Sequence, residues 1–180
     1  MRTLGLAGLA LSVLAQPLSA EIIEQDGQHF VSRNSAEVDA TPDAIWLLLI
    51  DPKEWWSDNH TWSGHADNLS LTPQGGGCFC ETLMGKDPET GAALSGSAQH
   101  MSVLLAQPGK ALRMRGALGP LQSEPADGVL TISLEPAGDR TRITFEYVVA
   151  GKVRYPVEQI AKAVDGVMKE QLDGLVAAAG

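Results

Sequence analysis

The clearest pattern in this chain is a period-two alternation near its end. From Val129 to Glu135 the apolar Leu130, Ile132 and Leu134 take every second position. From Arg140 to Val149, Ile143, Phe145, Tyr147 and Val149 do the same, with Arg142, Thr144 and Glu146 in the gaps. Such alternation sets one side of a strand against a core and the other in water, and Pro136-Ala137-Gly138-Asp139 between the two runs has the composition of a hairpin turn. A three-four rhythm follows: after Pro156, the apolar Val157, Ile160, Val164, Val167, Met168 and Leu175 form one helical stripe, with Glu158, Lys162, Asp165 and Lys169 away from it. Gly166 and Gly174 interrupt this helix at about 1 kcal/mol each relative to alanine, which hints at close approach to a neighbour.

Earlier in the chain the signals are shorter. Phe30 to Val38 is a strand bounded by Gly27 and a turn. Thr41 reads as an N-cap and Pro42 as the first helical residue of an apolar segment, Ala44 to Ile50, which Asp51-Pro52 stops. Further strands are expected over Cys78 to Met84, Ser97 to Ala106 and Ala111 to Arg115. The order is strand, helix, several strands, helix, an α+β arrangement in which a curved antiparallel sheet packs one face against the long C-terminal helix.

The first twenty residues change the picture of where this domain works. Arg2, the apolar run Leu4 to Ala15, and Leu18-Ser19-Ala20 follow the charged, apolar, small order of a secretory leader, too short to span a bilayer. Cleavage is expected after Ala20, with Val13-Leu14-Ala15 as the alternative site. The mature chain, residues 21–180, is then one exported domain, periplasmic or secreted. Losing residues 1–20 removes Arg2 and no acid, taking the formal charge from −9 to −10. Nucleic acid and anionic lipid surfaces are excluded as favoured partners by that charge. The only cysteines, Cys78 and Cys80, are one residue apart. In a regular strand their Cα atoms would lie about 6.6–6.8 Å apart with parallel side chains, so buried free thiols are expected, a labile disulfide being the alternative.

Several short motifs resemble the START-like, or SRPBCC, superfamily: Val38-Asp39-Ala40-Thr41-Pro42-Asp43-Ala44-Ile45-Trp46, Asp51-Pro52-Lys53-Glu54-Trp55-Trp56, Leu105 to Leu112, and Leu118-Gly119-Pro120-Leu121. This superfamily includes polyketide cyclase/dehydratase-like proteins, lipid-transfer domains and homologues of a chaperone ATPase activator. The resemblance spans about residues 30–176 and implies the helix-grip fold, with an apolar cavity between sheet and long helix. The residues placed inward by periodicity would line it: Met114, Leu130, Ile132, Ile143, Phe145, Tyr147, Ile160, Val164 and Met168. A solid core would use the same residues.

Three of the four tryptophans, Trp55, Trp56 and Trp62, fall in the segment Asp51 to Asn68 with His60 and His65. The spacing of the histidines lacks the paired geometry of a zinc site, so no metal is expected, and nucleotide and serine-hydrolase fingerprints are missing too, so no cofactor is expected. The tryptophans either plug one end of the domain or form the mouth of a ligand space. For an enzyme of cyclase, dehydratase or hydrolase type the candidates are Tyr147, on an apolar strand face, and His100. If Met101, Val103 and Leu105 face inward, His100 faces outward. The first expectation is therefore a carrier or sensor of a small apolar or amphipathic molecule, lipid-like or aromatic. The second is an enzyme using the same cavity, and the third, a protein-binding module, fits poorly with export.

Overall fold

The structure, a computed structural model, describes residues 20–180. The leader expected over residues 1–20 thus lies outside the described residues, apart from Ala20, which opens the first strand. The strands are β1 (Ala20–Gln25), β2 (His29–Val38), β3 (Leu69–Leu71), β4 (Cys78–Lys86), β5 (Ala93–Gln107), β6 (Ala111–Arg115), β7 (Ala126–Ala137) and β8 (Arg140–Gly151). Helix α1 (Pro42–Leu49) follows β2, and α2 (Val157–Ala178) ends the chain. All eight strands form one antiparallel sheet in the order β1-β2-β8-β7-β6-β5-β4-β3, with α2 against its inner face. This is the helix-grip arrangement. Strands β1 and β3, which carry little alternation, are additions at the two edges.

The elements form for the reasons read from the chain. Thr41 caps α1, its Oγ1 accepting from Ala44 N at 3.3 Å with Pro42 behind it. The β7–β8 hairpin runs in unbroken register, and Leu130, Ile132, Ile143, Phe145 and Tyr147 are fully buried. Helix α2 lies over the β1–β2 flank and also touches β8. Strand β2 therefore passes under a side of the helix that the stripe leaves polar: Asp165, expected on the wet face, accepts from Ser32 Oγ at 2.6 Å and Asn34 Nδ2 at 3.0 Å. The two helical glycines differ. A Cβ at Gly166 would meet nothing within 4 Å, whereas one at Gly174 would lie 2.2 Å from the Trp55 carbonyl oxygen. Gly174 is thus the point where the tryptophan segment touches the helix.

Two readings need correction, both in β4 and β5. Where Phe79 pairs with Met101 and Cys80 with Gln99, His100 is an extra residue on β5. Such a bulge breaks the period-two parity. Met101 and His100 are consequently both buried, and His100 does not face outward. A second irregularity between Val103 and Leu105 turns Leu105 outward, where it is exposed. Beside the first bulge Cys78 and Cys80 are only 5.4 Å apart at Cα and form a disulfide rather than two free thiols, because β4 is tighter here than a regular strand. The pair sits half-buried on the outer face, with Phe79 and Glu81 pointing inward between and after it.

Candidate functional site

The space under α2 is filled over most of its length and hollow at one end. The hollow is a cavity of about 260 Å³. One wall is the N-terminal half of α2: Ile160, Ala163, Val164, Val167 and Met168. The facing wall is Leu118, Gly119 and Pro120, at the start of the short turn Gly119–Ser123 between β6 and β7. The mouth belongs to the segment between α1 and β3, through Trp56, Asn59, His60, Thr61 and Trp62, and His100 closes the sheet side. Of the expected ligand residues, Trp56, Trp62, Ile160, Val164 and Met168 meet here. Trp55, Met114, Ile132, Phe145 and Tyr147 do not border the cavity; they are packed in the core, Trp55 edge-on to Phe145 at a ring separation of 6.0 Å.

The tryptophan segment is tied down on both sides. Toward the helix, Ser57 N donates to Gln171 Oε1 at 2.9 Å, and His60 Nε2 lies 3.0 Å from Glu170 Oε2. Hydrogen bonds from Ser57 and His60 hold the Glu170 carboxyl below its ordinary value. Trp56 is buried edge-on to Phe79 at 5.0 Å and donates Nε1–H to the His60 carbonyl. Toward the sheet the anchor is Glu81, which has no exposed surface. It accepts from Trp62 N at 3.0 Å, from Ser63 N, and from His100 Nε2 at 2.8 Å. Burial alone would raise this carboxyl, but the hydrogen bonds from Ser63, Trp62 and His100 outweigh it and hold it below 4.5.

The donor inventory fixes the protonation pattern around His100. The indole N–H of Trp62 can only donate, and it reaches Gln122 Oε1 at 3.2 Å. That sets the Gln122 amide with Nε2 toward His100 Nδ1, at 3.3 Å. Nδ1 therefore accepts, and Nε2–H donates to Glu81. Trp62 is held at its backbone by Glu81 and at its ring by Gln122, so its half-exposed indole stands as a fixed panel at the mouth. Both nitrogens of His100 are used inside the protein, and the imidazole offers the cavity a ring surface rather than a free base.

Tyr147 is committed as well. Its hydroxyl donates to the Gly116 carbonyl at 2.9 Å and accepts from Leu118 N at 3.2 Å, and burial pushes the phenol well above its ordinary range. Its role is to hold the turn that presents Leu118 and Pro120 to the cavity. Sequence reading missed Glu81, Gln122 and Gln171. For Glu81 a signal existed, since it shares the inward parity of Phe79 and is a charge on an apolar face. Gln122 lies in an irregular turn that no periodicity reports. Among the described residues no three metal-ligating side chains come together, and no helix is long and apolar enough to cross a membrane.

Comparison with known proteins agrees with this architecture. No curated protein sequence matches the chain. Solved structures share the fold at low identity. A Rhizobium leguminosarum protein superposes with a TM-score of 0.58 at 16% identity, over 91% of this chain and 98% of its own. A Staphylococcus aureus protein of unknown function gives 0.57 at 12%, over 84% and 94%. A Mesorhizobium loti protein gives 0.53 at 17%, over 82% and 95%. The sequence of residues 29–180 matches the family described as polyketide cyclase/dehydrase and lipid transport. With nearly the whole described domain covered by that match, the chain belongs to the polyketide cyclase/dehydrase and lipid-transport family.

Proposed function

We propose that this protein is an exported binding protein that holds one small apolar or amphipathic molecule in the cavity between the Trp62 panel, the Leu118–Pro120 wall and α2. The observation that carries the reading is a hollow with largely apolar walls, bordered both by the half-exposed Trp62 and by α2. A general acid or base must reach its substrate. The two groups named from the sequence for an enzyme, His100 and the Tyr147 hydroxyl, have every polar atom engaged within the protein, so neither supports turnover.

Trp62 is the residue to change first. It is 54% exposed and lines the cavity, so Trp62→Ala should weaken binding of an aromatic probe by roughly five- to thirtyfold and leave the melting temperature nearly unchanged. Trp56→Ala empties a buried site against Phe79 and Trp55 and should instead cost about 3–5 kcal/mol of stability. Fluorescence titration beside thermal unfolding separates the two; equal probe affinity in wild type and Trp62→Ala would mean that Trp62 takes no part in binding.

Export is supported by the leader pattern of residues 1–20 and by the Cys78–Cys80 pair, since disulfides persist in oxidising compartments. Fractionated cells should yield a chain beginning at Glu21 outside the cytoplasm. A full-length chain confined to the cytoplasm would contradict it.

A further inference from the structure

The charge distribution around the cavity narrows the class of guest. No lysine or arginine is among its lining residues. Arg154, beside the neighbouring turn, is taken up by Glu124 through Nε at 2.7 Å and the backbone N at 2.9 Å. Two carboxylates stand just behind the wall, Glu81 behind His100 and Glu170 behind His60, and both are held ionised by hydrogen bonds. A carboxylate or phosphate entering this space would meet no cation and two negative charges, and the chain as a whole is acidic. A cation fares no better. Both Glu81 oxygens are occupied, Glu170 is outside the lining, and an ammonium would lose its water without gaining a partner inside.

With His100 engaged through both ring nitrogens, the remaining polar lining belongs to the tryptophan segment: Asn59, His60 and Thr61 form a short polar rim at the mouth, whereas α2 contributes only apolar side chains, Ile160, Ala163, Val164, Val167 and Met168. With His60 Nε2 directed at Glu170, Nδ1 is the nitrogen left for a guest. We infer that the guest is an electroneutral amphiphile: a compact apolar body with one hydroxyl, phenol, carbonyl or amide directed at residues 59–61, and neither a fatty acid nor a phosphate-bearing lipid. The cavity, at about 260 Å³, lies just under the range of about 300–1,000 Å³ typical of drug-sized ligands, which suits a guest of one or two rings. This inference rests on the cavity being the binding site.

Three probes that share one ring system test it: naphthylmethanol, naphthoate and naphthylmethylammonium, titrated into the purified full domain near neutral pH and followed by tryptophan fluorescence and calorimetry. Naphthylmethanol should bind at least about tenfold more tightly than either charged probe, a gap of about 1.4 kcal/mol. Glu170→Lys, a charge reversal on an exposed side chain, should raise the affinity for naphthoate relative to that for naphthylmethanol by at least about tenfold. Naphthoate or the ammonium probe binding as tightly as the alcohol would overturn the charge inference while leaving the cavity reading intact, as would a Glu170→Lys variant in which the ratio of the two affinities is unaltered. Failure of all three probes to bind would overturn the cavity reading itself, and the inference with it.

Discussion

Glu81→Ala should lower unfolding stability by about 3–5 kcal/mol, the cost of removing one partner from a buried charged network, and should release the mouth of the cavity with it. The carboxylate is the shared acceptor of Trp62 N, Ser63 N and His100 Nε2, and a methyl group leaves the buried His100 donor and the two part-buried amides without this acceptor. Chemical denaturation of the two proteins measures the loss; a difference under about 1 kcal/mol would mean that the loop is held by packing alone. The pH dependence has a definite sign. The folded Glu81 pKa is depressed below its ordinary 4.5, so its contribution is complete above that value and is lost as pH falls through the folded pKa. Glu81→Gln should flatten the acid side of the stability curve below about pH 4.5 without abolishing its slope, because Glu124 and Glu170 are depressed too.

Val164→Phe should abolish or weaken probe binding by more than about tenfold while leaving the fold as stable as before. Val164, in the N-terminal half of α2, lines the hollow together with Trp62 and Leu118. A phenyl ring forced into a packed core typically costs about 1–3 kcal/mol, whereas a ring entering an existing void gains contacts. The sign of the stability change therefore reports whether the void is real, and the affinity reports whether the guest sits in it. A variant that is clearly destabilised and still binds would place the guest elsewhere.

How far the chain could be read tracks where regular geometry holds. The β7–β8 hairpin, the cap at Thr41 and the stripe of α2 follow from period and capping chemistry, and the helix-grip arrangement follows from their order. Periodicity placed Phe145, Ile132 and Val164 all inward, and nothing in it distinguishes the first two, which fill the centre, from the third, which borders the hollow. That difference arises because α2 lies over β1 and β2 rather than over the middle of the sheet, a matter of tertiary docking. His100 and the cysteines depart from the expected strand geometry at one place, the extra residue in β5, which reverses facing and accompanies the tightening of β4. Gln122 was invisible because its place in the Trp62–His100 relay comes from an irregular turn far away in sequence.

Binding of the proposed guest requires the end of the domain beside Trp62 rather than its filled centre. The most direct measurement is anomalous diffraction from crystals carrying a bromine-labelled naphthylmethanol. A single bromine peak enclosed by Trp62, Leu118 and Val164 is the expected result. A peak on the outer face of the sheet, or side chains filling that space with no peak at saturating ligand, would contradict it.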